Sequence, residues 1–541
     1  MLAARSSAAA AASDAATNGA LVNGTAGPNP WVIMKFGGTS VGTAERMSQV
    51  AEIIKDTAAS RRPVAVLSAM SSYKKSEGTT SRLLDSTTLL LPPNPPRSWS
   101  HLVEAIERDH LAAVRGGVSE PEEREKCEEM VKAELARLRG FLEAAETIGE
   151  ITPRSRDIVI SAGEKLSALI FTSVLRSRGV PALYVNLERV VDKQFGDGNG
   201  GGVDQGFYDY VAKRLGDLVR VVEEGCVPVL TGYLGPVPGS ILTTIGRGYT
   251  DLTAALCAVG IGAEELQIWK EVDGIFTADP RKVPLARLLP YISPEEAAEL
   301  TYYGSEVIHP FTMEQVIRAS IPIRIKNTFH PAGRGTVVLP GPDSEARAAA
   351  LEECFSAPHV GPDGSPLPTH RPSRRHATAV TIKDNVTVLN VHSNRKSVSH
   401  GFFAHIFRTL DRHGIVVDLI STSEVHVSMA LGPNVKEANL KGALSDLKRL
   451  GTVDVIADMA ILSLVGRLMR HMVGIAGRMF SVLAQHNVNI EMISQGASEI
   501  NISCVIEQNR AAEALKAVHD ACVLAIGYED GLDEVDVETT V

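Results

Sequence analysis

The segment Trp31-Val32-Ile33-Met34-Lys35-Phe36 is a short apolar run, and two glycines, Gly37 and Gly38, follow it at once. Such a run reads as a buried strand, and glycines directly behind it let backbone N–H groups approach a ligand without side-chain clash. A helical pattern from about Glu45 to Lys55 and a second apolar strand, Pro63–Ser68, come next. Strand, glycine turn, helix and strand together predict a parallel α/β sheet with ligands at the strand ends.

Further along, residues 97–148 have a helical period broken by a Gly-Gly-Val-Ser-Glu-Pro turn. A helix is expected from Gly163 to Arg178, and strands at Val227–Leu230, Glu265–Trp269 and Pro322–Lys326. Residues 340–377 are rich in Pro, His and Arg, which is linker composition. The remainder repeats itself. Strand-like Val386–Val391, a helix over Gly401–His413 and strands at 415–420 and 424–430 are matched by Ala460–Val465, a helix over Gly474–His486, and strands at 488–493 and 499–506. Val417-Asp418-Leu419-Ile420-Ser421 parallels Ile490-Glu491-Met492-Ile493-Ser494. A β-α-β-β pattern met twice predicts a pair of small α+β modules. The expected division is a disordered Ala/Ser-rich tail over 1–30, an α/β domain over 31–339, a linker over 340–377, modules over 378–455 and 456–530, and an acidic tail over 531–541.

Composition narrows the function. A net charge of −10 over 541 residues disfavours nucleic acid as a general partner, because that needs a positive field. Six scattered cysteines without a CxxC pair point to reduced cytoplasmic thiols rather than a disulfide framework or a zinc site. No apolar run reaches about 18 residues free of charge, so no membrane span is expected.

Three segments carry chemistry. In Lys35–Gly42 (KFGGTSVG), a lysine at a strand end and glycine N–H groups suit a transferring phosphoryl group. The segment is not a Walker A loop, since Thr43 stands where the lysine would be, and by itself it reads equally well as a tight turn with a surface lysine. Gly246-Arg247-Gly248-Tyr249-Thr250-Asp251 opens an apolar helix. Arg247 suits bidentate grip of a carboxylate and Asp251 suits positioning of Lys35, although a first-turn carboxylate also serves as a helix cap. Trp269–Arg281 runs from a strand into an acidic, turn-rich stretch that suits a nucleotide pocket, or simply a loop with Asp-Gly and Asp-Pro turns. Ser161–Ser167 places Glu164 at an expected helix start, where dipole compensation would account for it. His309, just before Pro310, reads first as structural.

Together these segments resemble the aspartokinases. Lys35–Gly42 and Gly246–Asp251 resemble that family's two signatures, Trp269–Arg281 its nucleotide segment, and Thr80–Leu84 and Ser161–Ser167 also match. The repeat after residue 377 looks like the family's paired ACT modules. The resemblance covers Trp31 to about Ala525 and is nearest to the fungal monofunctional enzymes, without a fused homoserine dehydrogenase. It implies an amino-acid kinase fold, a mostly parallel sheet sandwiched by helices, followed by two ferredoxin-like ACT domains. It also implies phosphoryl transfer from ATP to L-aspartate.

By that resemblance, Lys35 would neutralise phosphoryl oxygens with help from the backbone of Gly37 and Gly38, and Asp251 would organise Lys35. Arg247 would bind the carboxylate of aspartate and Glu164 its ammonium, with Ser68 and Thr80 lining the pocket. Gly248, Lys270, Glu271, Phe276, Arg281 and His309 would surround ATP. A feedback amino acid, threonine in the fungal pattern, would sit among Ser399, Gly401, Phe402, Phe403, Val417, Asp418, Thr422, Ser423 and Glu424. Mg²⁺ would enter with ATP through the phosphates rather than on dedicated protein ligands. A homo-oligomer formed through the ACT modules is expected. The chain departs from the family at Glu306, where many members have lysine. It departs also at Tyr249, where bacterial members often have a small residue, and in a longer loop over Ser72–Thr79. Two rivals remain at this level: an amino-acid kinase with another acceptor, and a catalytically dead amino-acid sensor.

Overall fold

The structure, a computed structural model, describes residues 29–340 and 377–524 apart from 73, 75, 76, 194, 196–202, 236, 238, 239, 242–245, 247, 304–307, 309, 394–400, 424, 434 and 497–499. For 303, 310, 311, 359, 360, 366, 367 and 471 it describes the backbone alone.

Eight strands form the first sheet: β1 (Trp31–Phe36), β2 (Arg62–Leu67), β3 (Ala182–Val185), β4 (Val227–Thr231), β5 (Glu265–Lys270), β6 (Tyr291–Ile292), β7 (Ile323–Asn327) and β8 (Thr336–Val338). Their order is β3-β4-β2-β1-β5-β7-β8-β6, with only the β7–β8 pair antiparallel. The chain leaves β1 toward β2 on one side and reaches β5 on the other. The C-terminal end of β1 therefore lies at the switch point where doubly wound sheets open a crevice.

Strand alternation decides what faces that crevice. Val32, Met34 and Phe36 bury into a cluster with α1 (Ala44–Ala58), α3 (Ser100–Gly117), α4 (Pro121–Ile148) and α5 (Pro153–Arg176). Ile33 packs on the opposite face with α6 (Gln205–Arg220) and α7 (Tyr249–Ile261). Two residues on, Lys35 must share the face of Ile33, and so it meets α7. Helix α5 is apolar because it is a core helix buried over nearly its whole length. It begins ten residues before the expected Gly163, with Pro153 at its first position and the Thr152 hydroxyl accepting from Ser155 N–H (3.1 Å). Helix α2 (Thr79–Leu89), α8 (Pro294–Tyr303) and α9 (Pro310–Arg318) complete the layers.

After a two-residue strand pair, β9 (His359–Val360) with β10 (Pro366–Leu367), a second sheet forms from β11 (Ala379–Ser393), β12 (Val417–Thr422), β13 (His426–Leu431), β14 (Gly451–Val465), β15 (Met492–Ser494) and β16 (Asn501–Glu507). Its order is β12-β13-β11-β14-β16-β15, antiparallel throughout. Helices α10 (Phe402–Arg412), α11 (Glu437–Leu447), α12 (Ile475–Gln485) and α13 (Ala511–Val518) cover it.

The module boundary differs from the one expected between 455 and 456, because β14 runs through it. The ladder between β11 and β14 is irregular around Lys383–Val388. Residues 386–456 form one β-α-β-β-α-β unit with the ferredoxin-like order. The second unit runs from 459 to α13 and takes its fourth strand from 379–383, so the first unit is inserted into the second. The repeat noticed in sequence is real at the level of geometry. Gly401 (φ 87°) and Gly474 (φ 86°) each cap a module's first helix in the left-handed conformation that favours glycine. The matched Val417–Ser421 stretch and the Met492–Ser494 part of its counterpart end up in the two edge strands.

Candidate active site

The Lys35 ammonium lies 2.6 Å from the Asp251 carboxylate. Lys35 is 7% exposed and Asp251 9%. Asp251 is in the first turn of α7, yet it serves a partner on the strand that the helix covers. A buried ion pair is weak evidence for stability, because desolvation offsets the Coulomb gain. Its position beside the glycine turn instead marks a place where a cation is held in one orientation.

Gly37 and Gly38 lead into a 3₁₀ turn, Thr39–Val41, whose N–H groups return to Gly37 and Gly38. Ser71 N–H donates to Gly38 O (3.0 Å) and Ser68 N–H to Phe36 O (3.2 Å), so the loop after β2 lies on the glycine turn. A Cβ on Gly42 would stand 2.0 Å from Ser71 O, and one on Gly38 2.3 Å from Ala69 O. Both residues have ordinary negative φ, so closeness rather than backbone freedom requires glycine here. Gly42→Ala is expected to push the two loops apart and cost about 10- to 100-fold in kcat/KM. Steady-state kinetics alongside a thermal melt checks this, and wild-type kinetics would refute it.

The buried hydroxyl of Ser40 meets Thr328 (3.0 Å), and Thr328 donates to Lys270 O through N–H (2.9 Å) and hydroxyl (3.1 Å). The glycine turn is thereby tied to the end of β5, where Lys270 sits.

Glu164 is not at a helix start. It lies in the middle of α5 and is 1% exposed, which removes dipole compensation as its explanation. Burial pushes its carboxyl up to about 7, against hydrogen bonds from Tyr249 and from backbone, including Ala69, that favour the ionised form. The Tyr249 phenol donates to Glu164 Oε1. Oε2 is buried and has no hydrogen-bond partner among the described residues. A Cβ on Gly163 would lie 2.7 Å from the Ala69 methyl and 3.2 Å from that of Thr79. Thr79 N–H donates to Met70 O (3.1 Å). The Ser68 loop, the Thr79–Thr80 start of α2 and the Glu164 stretch of α5 therefore converge, with Ser68 and Thr80 half-buried. An unsatisfied buried carboxylate oxygen suits a small ligand carrying an ammonium group, and the same turn of α7 that reaches Glu164 through Tyr249 reaches Lys35 through Asp251.

The amino acid kinase family profile matches residues 30–327, and an ACT domain profile matches 462–522. The chain is 49% identical to the aspartokinase of Candida albicans, over 90% of this chain and 89% of that one. It is 49% identical to that of Schizosaccharomyces pombe, over 90% and 92%. The chain belongs to the aspartokinase family. Among solved structures, Escherichia coli aspartokinase III in complex with lysine and aspartate matches with a TM-score of 0.70 at 28% identity, covering 91% of this chain and 99% of that one. The same enzyme with aspartate and ADP matches at 0.67, covering 90% and 99%. The chain is thus an aspartate kinase, a phosphotransferase with regulatory ACT modules.

Other aspartokinase residues named from sequence scatter more widely. Gly248 caps α7. Glu271 is exposed and Phe276 half-buried, making an isolated bridge with Leu288. Arg281 is 88% exposed in its side chain and grips Asp279 with two nitrogens (3.0 and 2.9 Å). Its segment also docks the ACT pair. Ala278 and Val283 join the second module's core, Val380 N–H donates to Thr277 O (2.8 Å), and the Thr277 hydroxyl meets His519 Nε2 (2.9 Å). Arg247, Glu306, His309, Ser399 and Glu424 lie outside the described residues.

In the first ACT module Gly401 and Phe402 begin α10, with Phe402 buried and Phe403 39% exposed. Val417 is half-buried, and Thr422 and Ser423 are exposed at a turn closed by Ser423 N–H on His426 O (2.8 Å). Asp418 already has a cation: Lys383 Nζ lies 2.8 Å from it, and Tyr302 of α8 approaches at 3.5 Å. Sequence reasoning left Asp157, Thr328 and Tyr249 without roles. Asp157 accepts from Ser240 Oγ (2.8 Å) and Ile241 N–H (2.7 Å), anchoring the chain at that point. Only Tyr249 gave a signal in sequence, as a large residue in a glycine-bracketed loop.

Proposed function

We propose that this enzyme transfers the γ-phosphoryl group of ATP to the β-carboxylate of L-aspartate, giving 4-phospho-L-aspartate, the first step toward threonine and methionine. The observation that carries this is the Lys35–Asp251 pair at the glycine turn, beside the free buried oxygen of Glu164. A carboxylate is a nucleophile at neutral pH, so its oxygen attacks the γ-phosphorus without a general base. The bond to the β,γ-bridging oxygen breaks and ADP leaves with that electron pair. Lys35 and the N–H groups of the glycine turn absorb charge on the equatorial oxygens, and Asp251 keeps Lys35 aimed. Glu164 holds the ammonium of aspartate. Magnesium bound to the nucleotide phosphates supplies further charge neutralisation.

ADP release across a panel of aspartate, glutamate and N-acetylglutamate tests the acceptor, and trapping with hydroxylamine tests the acyl phosphate. Turnover with aspartate and formation of its hydroxamate are expected. Preference for another acceptor would overturn the reading.

Threonine is proposed as the feedback ligand, on the likeness to fungal aspartokinases. Its ammonium would reach Asp418 by displacing Lys383, which links the effector to Tyr302 on the kinase domain. Inhibition by threonine and not by lysine is the expected assay result, and the reverse pattern would reassign the effector. Exposed Ile420 and Ile493 on the edge strands, with Phe403 and Phe407 on α10, support assembly through the ACT modules. The free thiols of Cys127, Cys226, Cys257, Cys504 and Cys522 suit a reducing cytoplasm.

A further inference from the structure

We propose that Tyr249 is a positioning residue for substrate recognition: its phenol O–H, donated to Glu164 Oε1, fixes the carboxylate so that Oε2 alone is presented to the ammonium of the amino-acid substrate. This rests on the acceptor reading above and adds a residue to it.

Three observations carry the assignment. First, both partners are sealed from water, Tyr249 at 3% and Glu164 at 1% exposure, so water cannot replace the hydrogen bond. Second, the carboxylate is asymmetric. Oε1 has the phenol, whereas Oε2 is buried without a partner among the described residues. A carboxylate with two lone oxygens would rotate about its last torsion, and one pinned oxygen leaves a single acceptor direction. Third, Tyr249 is the first residue of α7 and Asp251 is the third, so one helical turn orients both Glu164 and Lys35. The end that receives the ammonium and the end that receives the phosphoryl group are thereby set by the same piece of backbone.

The phenol is well suited to the task. Burial, the Glu164 charge and their hydrogen bond hold its ionisation well above 10, so it stays a donor at any working pH. Its ring packs in the core cluster with Leu252 and Leu256, which fixes the hydroxyl. A small residue at this position would leave Glu164 Oε1 without the phenol and the carboxylate with one donor fewer to hold its direction.

Tyr249→Phe removes one oxygen and keeps the ring. KM for aspartate is expected to rise about tenfold or more, the loss appropriate to a hydrogen bond on a charged group. KM for ATP should be unchanged, and kcat should stay within about threefold. Succinate, which has both carboxylates of aspartate and no ammonium, provides the control. As a competitive inhibitor against aspartate its Ki should be the same in wild type and variant. A rise in the Ki of succinate in parallel with KM would show that Tyr249 merely shapes the pocket, and unchanged KM would show that it does nothing; either overturns the proposal. Failure of the wild-type enzyme to phosphorylate aspartate would instead defeat the acceptor reading, so the two failures are distinguishable. Tyr249→Leu, which keeps an apolar filler without a donor, should reproduce the KM effect, and a normal KM in that variant would also overturn the assignment.

Discussion

Lys35→Ala is expected to lower kcat by about a thousandfold or more, with the protein still folded. Removing one preorganised donor from a site of developing charge costs roughly 10²–10³ in rate, and here the donor carries a full charge. The ammonium sits at the C-terminal end of β1 with only 7% exposure, so bulk water does not easily substitute for it. KM for ATP should change less than kcat, because the charge that Lys35 meets grows on the way to the transition state. Near-normal turnover by a folded variant would remove Lys35 from the chemistry and the phosphoryl-transfer reading with it.

The same substitution has a structural cost that must be separated from the catalytic one. It takes the ammonium partner from Asp251, and breaking a buried ion pair typically costs about 3–5 kcal/mol. Adding Asp251→Asn to Lys35→Met, which makes the pair neutral at similar volume, should recover much of that stability and none of the activity. Parallel recovery of both would mean that Lys35 acts through folding alone. The pair is thus an interaction whose contributions to stability and to rate can be pulled apart by one added substitution.

How much of this was legible in sequence follows from how local each cause is. The glycine turn after β1 was readable because strand, glycine and helix are neighbours in the chain and obey local periodicity. The pairing of Lys35 with Asp251 was suggested by the residue types, with helix capping as the rival, and then by family resemblance. Its physical reason, the alternation that places Lys35 on the α7 face with Ile33, needed the sheet order. Glu164 was misplaced at a helix start, since nothing in Ser161–Ser167 shows that α5 had begun at Pro153. The insertion of one ACT module into the other could not be read either. It depends on β11 and β14 each being long enough to serve both modules, and residues 379–383 read as the start of the first module until their ladder with 461–465 is seen. The docking of the Arg281 segment was hidden for a related reason: Ala278 and Val283 look like ordinary turn residues until the second ACT module packs on them.

Glu164→Gln should separate substrate binding from stability in the opposite sense. The folded protein holds the Glu164 proton more tightly than the unfolded chain, because burial raises its carboxyl from 4.5 to about 7. A raised folded value means that the associated stability is fully present below about 4.5 and is lost as pH rises through about 7. Above that, the folded enzyme carries a buried charge at a cost of roughly 3 kcal/mol. Glutamine has nearly the same shape, accepts the Tyr249 hydrogen bond and never ionises. The variant should therefore melt alongside wild type near pH 5 and several degrees higher at pH 8. Its affinity for aspartate should nonetheless fall about a hundredfold, since an amide does not pair with an ammonium group. Saturating aspartate should raise the wild-type melting temperature most at high pH, where the ammonium meets the charged carboxylate, and should raise that of the variant much less. Parallel pH–stability curves for the two proteins would show that Glu164 carries no such stored cost. Aspartate stabilisation equal to that of wild type in the variant would move the ammonium site elsewhere. The stability lost by ionising Glu164 in the empty enzyme and the binding strength gained from it are two readings of one buried charge, and the two sets of melting curves measure both.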